Sequence, residues 1–304
     1  MEKFIFKSGY DDLNIAVAVK RPKNQPKAVI QLVHGMCGCK ERFIPLMEFF
    51  SNYGIVCIAS DLRGHGESVK DINDLGYFYS GGYKALIDDL RIVTKWGRKE
   101  FPNLPYYLLG HSMGSLAARM YIKQDDMDLS GVILCGSPSW NLLSIGGKIL
   151  MGMLCKLGFE RKRPKFFHKL TSVSYNKKFA SEGPQAWTCS DPESRKRVRE
   201  NPRCNFRFTI NGAYNLMKMM EETYSLKGWN VTHPTMPILF ISGANDPCMI
   251  SKIKFRETTK FMNKIGYEKV WASIYPNMRH EVLNEIGKQE VWDEILDFIV
   301  NHWE

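Results

Sequence analysis

The chain has 304 residues, 44% hydrophobic and 24% charged, with a net charge of +10. That composition excludes a disordered or low-complexity chain, and the length suffices for one large α/β domain or two small ones, with a sizeable core. No apolar run reaches the ~18 residues of a spanning helix, and residues 1–10 lack a signal peptide's apolar stretch, so a cytoplasmic chain without disulfides is expected.

In chain order, 28–33 reads as a buried strand, 42–53 as a helix and 55–59 as a second strand. Residues 82–99 have helical spacing through Leu86, Leu90, Val93 and Trp96. A third strand at 106–109 leads into a helix from Ser112 to about Lys123, and 132–135 is a fourth strand. Short continuous apolar strands alternating with helices of 10–18 residues predict a mostly parallel twisted sheet with helices on both faces.

The pattern breaks after Ser137-Pro138 and resumes with strands at 237–242 and 270–274 and a closing helix over 285–302. The spacing predicts one α/β core built from 1–138 and 233–304, with a mainly helical insertion at 139–232. That insertion carries 17 Lys/Arg against 7 Asp/Glu, and the rest of the chain has 25 of each. All of the excess positive charge therefore lies in one segment, a statement about partners or solubility rather than fold.

Eight cysteines occur. Cys57 and Cys135 sit in apolar strand-like runs and read as buried thiols. Cys37 and Cys39 form a C-x-C pair, but no second pair or His cluster has zinc spacing, so no metal site is expected.

Gly110-His111-Ser112-Met113-Gly114 is a G-x-S-x-G pentapeptide between an apolar strand and a helix, the context of a nucleophile elbow. Alone it could arise by chance. His34-Gly35 ends an apolar strand upstream, which fits a loop supplying a second oxyanion donor. The expected donors are the backbone N–H groups of Met36 and Met113, each worth about 2.7–4 kcal/mol in a transition state. The His34 side chain itself reads as structural. Asp246 follows a late strand, where it can orient a histidine; the bland reading is an Asx-turn before Pro247. His280 lies after the last strand and can take a proton from Ser112. The order Ser, Asp, His matches α/β-hydrolases and differs from other serine hydrolase orders.

Together with Asp61-Leu62-Arg63-Gly64-His65-Gly66-Glu67-Ser68, Gly243-x-x-Asp246-Pro247 and His280-Glu281, these pieces resemble the monoacylglycerol lipase and lysophospholipase branch of the α/β-hydrolase fold. Gly64 and Gly66 read as loop residues there, and Arg63 and His65 as structural. After His34-Gly35-Met36 the chain departs from the family's frequent Gly/Ala-Glu-His and has Cys37-Gly38-Cys39, so contacts to glycerol do not carry over.

The resemblance implies that the insertion is a cap over the site forming an acyl-binding tunnel. Leu142, Ile145, Ile149 and Met153 fall in its densest apolar stretch and are the candidate substrate contacts; the alternative is a cap helix packing on the core. The implied function is a serine carboxylic-ester hydrolase acting on a small acyl ester or lipid through an acyl-enzyme on Ser112, with no cofactor. A short-chain carboxylesterase, an amidase or peptidase, and a non-catalytic scaffold are the other readings. The basic surplus suits anionic membranes or phosphate head groups, against a merely solvated face. No nucleic-acid motif accompanies it.

Overall fold

The computed structural model describes residues 1–302, except for the side chain of Leu143, which lies outside the described residues. Eight strands form one sheet: β1 (Glu2–Lys7), β2 (Asn14–Lys20), β3 (Ala28–Val33), β4 (Ile55–Ser60), β5 (Tyr106–His111), β6 (Gly131–Cys135), β7 (Ile238–Gly243) and β8 (Val270–Tyr275). Their spatial order is β1-β2-β4-β3-β5-β6-β7-β8. β1 and β2 run antiparallel, and every pair from β4 to β8 is parallel.

The central strands are buried on both faces, which is why their sequences are continuous apolar runs. Alternate residues still divide between two cores. On β5, Tyr106 and Leu108 face one cluster and Tyr107 and Leu109 the other. The first cluster is closed by α2 (Gly82–Glu100), α3 (Met113–Ile122) and α9 (Lys252–Lys264), the second by α1 (Ile44–Asn52) and α10 (Lys288–Val300). Truncating a side chain such as Leu109, with no exposed surface, would cost about 2–5 kcal/mol. The buried amide of Gln31 is satisfied: it donates to the Leu90 carbonyl and accepts from the Thr94 and Tyr106 hydroxyls, at 3.3, 2.8 and 2.7 Å.

Between β6 and β7 the chain forms an insert of helices alone: α4 (Leu143–Lys156), α5 (Lys165–His168), α6 (Ser174–Asn176), α7 (Pro192–Glu200) and α8 (Ile210–Tyr224). α8 begins where the Thr209 hydroxyl accepts from the Gly212 N–H at 3.1 Å. Its buried face, Ala213, Met217 and Met219, packs into the α2–α3 cluster and ties the insert to the sheet. Three elements go beyond the sequence reading: the antiparallel β1 and β2, and α9, capped by Ser251 accepting from Lys254 N–H at 3.1 Å.

Candidate active site

Ser112 sits between β5 and α3 with φ 54° and ψ −119°, a conformation that L side chains rarely adopt. The neighbouring glycines permit it. A Cβ on Gly110 would lie 2.3 Å from the Gly114 carbonyl oxygen, and one on Gly114 would lie 2.2 Å from that of Val33. The turn therefore brings strand, helix and the preceding strand into backbone contact, and lifts the Ser112 hydroxyl clear of the sheet.

His280 and Asp246 arrive from the loops after β8 and β7. Nε2 of His280 is 2.8 Å from Ser112 Oγ, and Nδ1 is 2.9 Å from Asp246 Oδ2. The second Asp246 oxygen accepts the Cys248 N–H at 2.8 Å, so the Asx-turn and the histidine contact occur in one carboxylate. Gly243 allows the two loops to close: a Cβ there would lie 2.2 Å from the Arg279 carbonyl oxygen. Burial opposes a charge on His280, but the adjoining Asp246 carboxylate overrides it and raises the imidazolium well above its ordinary range.

Met36 and Met113 occupy the two positions expected of oxyanion donors. Met113 is the first residue of α3, where helix N–H groups have no carbonyl four residues back. Met36 lies in the tight turn closed by Gly38 N–H donating to Gly35 C=O at 3.1 Å. Gly35 packs so closely on the elbow that a Cβ would stand 2.8 Å from Ser112 Cβ.

His34 is buried, and its ring accepts the Leu62 N–H at 3.0 Å; burial lowers its pKa to about 4. Arg63 is spent on Asp89 at 2.8 Å, on Asp11 and on the carbonyls of Phe78 and Ser80. His65 is walled in by Phe78, Phe206 and Phe208. Gly64 and Gly66 take positive φ in that loop. A Cβ on Gly66 would fall 2.2 Å from the Asp61 carboxylate.

Among the described residues two groups of side chains have the donor types of a metal site. Glu41, Asp61 and Glu67 surround the buried Lys40 ammonium at 2.8, 2.7 and 2.7 Å, so a cation already occupies their centre. In the other, Asp246, Cys248 and His280, the carboxylate and imidazole are engaged with each other and with Ser112.

A cavity of about 990 Å³ opens over Ser112 and His280. Its apolar wall comes from Met36, Leu75, Phe167, Val173, Phe206 and Phe208. Leu142, Ile145, Ile149 and Met153 do not line it. They are exposed on α4, with Leu142 at 73%. The sequence reading located an apolar stretch correctly but assigned its outward face to the cavity. The lining comes instead from α5, α6 and the loops around α7, where aromatic residues are scattered among lysines and arginines and the apolar signal is diluted.

Other residues at the site have no motif in sequence. The Trp187 ring lies 5.2 Å from that of His280 and brings the insert against its imidazole. Arg42 pairs with Glu281 at 2.9 Å beside His280. Arg279 ties the histidine loop to the insert by donating to the Ala186 carbonyl and the Glu182 carboxylate, both at 2.6 Å.

A model of the family described as serine aminopeptidase, S33, matches residues 24–287. The chain is similar to a monoacylglycerol lipase of Mycolicibacterium smegmatis, with 23% identity over 97% of this chain and 96% of that one. Among solved structures it resembles a carboxyl esterase from Bacillus coagulans, at 25% identity, TM-score 0.90 and coverage of 100% and 99%. A monoglyceride lipase from Saccharomyces cerevisiae matches at 18% identity and TM-score 0.75, over 99% of this chain and 97% of that one.

Proposed function

The chain belongs to the serine aminopeptidase S33 family and is a serine hydrolase of the α/β-hydrolase fold; from that premise we propose that it hydrolyses acyl esters of monoacylglycerol or lysophospholipid type through an acyl-enzyme on Ser112. The observation that carries this reading is the hydrogen-bonded line Asp246–His280–Ser112 on the wall of a large, partly apolar cavity. In the proposed reaction Ser112 Oγ attacks the ester carbonyl while His280 Nε2 takes its proton. Asp246 holds the imidazole tautomer and stabilises the imidazolium. The N–H groups of Met36 and Met113 receive the oxyanion. His280 then protonates the departing alcohol, and water, activated by the same nitrogen, releases the fatty acid and restores Ser112.

The family's description admits an aminopeptidase. That activity would place a free α-ammonium in the cavity. The lining offers it one carboxylate, Glu281, already paired with Arg42. An uncompensated cation in such surroundings is disfavoured, which supports the ester reading. The similarity to the mycobacterial monoacylglycerol lipase supports it as well.

The insert acts in this reading as a cap. Leu142, Ile149, Met153 and Leu157 are exposed along and beside α4 near Lys156, which suits resting on an anionic lipid surface during substrate uptake. Among the described residues no helix is long and apolar enough to cross a membrane. Sedimentation with phosphatidylglycerol vesicles should be lost in a Leu142→Ser/Leu157→Ser variant; wild-type protein left in the supernatant would remove the membrane step.

The test of function is fatty-acid release from 1-monooleoylglycerol and a lysophospholipid, run beside nitrophenyl butyrate and an aminoacyl anilide, with Ser112→Ala as blank. Serine-dependent release from the long-chain lipids is expected. Turnover of the anilide alone would replace the ester reading with a peptidase.

A further inference from the structure

The cavity over Ser112 is strongly cationic. Arg163, Lys177, Arg199 and Arg207 line it, and among the described lining residues the sole carboxylate, Glu281, is neutralised by Arg42 at 2.9 Å. Some other cations of the insert are paired: Arg161 with Asp74, Lys148 with Glu221, and Arg203 with Glu67.

Arg163 is the organised member of the group. Its guanidinium donates to the backbone carbonyls of Leu75 and Asn73, both at 2.7 Å, and to that of Arg207. Three neutral acceptors hold the group in place without cancelling its charge. Cys37, from the turn that carries Met36, donates its thiol to the Phe206 carbonyl at 3.3 Å, so the loop bearing Arg207 lies directly on the expected oxyanion turn. The positive charge of Arg163 reaches that turn as well, where it counters part of the upward push that burial exerts on the Cys37 thiol. Arg207 is exposed, and its field, after burial, is what lowers the neighbouring His168. Apolar walls from Phe167, Phe206 and Phe208 run between these cations. The whole is suited to an amphiphile with an anionic end.

Resting on the esterase reading, we propose that the preferred substrate is an acyl ester whose alcohol carries a phosphate, held by Arg163, Arg199 and Arg207 while its acyl chain lies along the phenylalanine wall. Guanidinium groups match phosphate oxygens two at a time, and such pairs discriminate against neutral alcohols. Bond making and breaking at the ester are those already described for Ser112. The phosphate selects the substrate and takes no part in the chemistry.

The experiment compares 1-oleoylglycerol 3-phosphate with 1-monooleoylglycerol, identical in acyl chain, in neutral detergent micelles. The expected result is a kcat/KM ratio of about tenfold or more in favour of the phosphate, the discrimination of one good charge-assisted contact. Oleoyl lysophosphatidylcholine separates a phosphate alone from one joined to a cation and should fall between the two. In an Arg199→Gln/Arg207→Gln variant the ratio should collapse toward unity. Among the described residues neither side chain forms an ion pair, and the backbone carbonyls by which Arg199 and Arg207 accept from Asn205 and Arg163 are kept in the variant. Arg163→Lys, which keeps the charge but loses the fork, should reduce the ratio partially. An equal or inverted ratio in wild type, or a ratio untouched by the double variant, overturns the phosphate preference and leaves the esterase reading standing. Absence of serine-dependent turnover on all three lipids overturns both.

Discussion

The sulfurs of Cys39 and Cys204 lie 3.4 Å apart, joining the loop after β3 to the insert across 165 residues of sequence. Both thiols are buried, and Cys204 also lines the cavity. The contact is therefore a clasp between the sheet and the segment that covers Ser112. Cys204→Ala should destabilise the chain by about 1–2 kcal/mol, the loss of a small buried hydrophobe and its weak hydrogen bond. Urea unfolding reads this directly. Mild oxidation with oxidised glutathione, which is itself reduced to two thiols, should yield a cross-linked peptide containing both cysteines, since a small approach brings the sulfurs to bonding distance. Finding both thiols freely alkylated after oxidation would show that the clasp does not close.

Ser112 is strained at φ 54°, and its hydroxyl is the proposed nucleophile. The two properties separate in two variants. Ser112→Ala should lower kcat by about 10⁴–10⁶-fold while leaving stability near wild type. Ser112→Gly should be equally inactive but more stable, by about 1 kcal/mol, because glycine adopts that backbone without a Cβ penalty. Labelling by a fluorophosphonate probe should disappear in both. A labelled Ser112→Ala protein would move the nucleophile elsewhere.

The Asp246 carboxylate at 2.9 Å raises His280 well above the ordinary histidine range. The proposed base works as neutral imidazole, so activity should be lost as pH falls through that raised value. The acidic limb of kcat/KM should lie above pH 6.5, the ordinary histidine value. In Asp246→Asn the limb should move down, and kcat should fall by about 10⁴. A limb that stays in place on this substitution would assign the titration to another group.

The fold is legible in sequence where burial is symmetrical. Strands β3 to β7 are apolar on both faces and cannot be mistaken for surface segments. Ser112, Asp246 and His280 are each legible because each follows the C-terminal end of a strand of that sheet. β1 is harder to read: it lies at the sheet edge, mostly exposed, and its Phe4 and Phe6 find their cover on Trp96, a helix away. The α9 signal is sparse, with Phe255, Thr258 and Met262 alone buried along thirteen residues. The cavity wall is the least legible part. Phe167 comes from α5 and Phe206 and Phe208 from the loop between α7 and α8, and only the fold brings them together.

Lys40 occupies a place that no motif announces. It is fully buried, with its ammonium 2.7 Å from Asp61, which is also buried and accepts the Lys40 N–H at 2.7 Å and the Glu67 N–H at 2.8 Å. Lys40→Met should cost about 3–5 kcal/mol, because it leaves the Asp61 carboxylate inside the protein without its counter-charge. Adding Asp61→Asn should recover part of that loss, giving a coupling of at least about 1 kcal/mol in a double-mutant cycle. Strict additivity would mean that the two side chains do not depend on each other.

His34 provides a pH-dependent stability term independent of catalysis. It is buried as neutral imidazole, with one nitrogen accepting the Leu62 N–H and the pKa lowered by burial to about 4. The unfolded chain has the ordinary value near 6.5. Between these values the unfolded state binds the proton and the folded state does not. The contribution is therefore fully present above pH 6.5 and is lost as pH falls from there through about 4. A displacement of that size is worth about 3 kcal/mol, and the buried His65, lowered in the same direction by burial and by His34, adds to it. Urea unfolding at half-unit steps from pH 7 to 4 should show stability declining across this window. His34→Gln supplies an acceptor that does not titrate there, so it should flatten the decline even if its stability at pH 7 is lower. A decline of unchanged steepness in the variant would assign the acid sensitivity to the carboxylates.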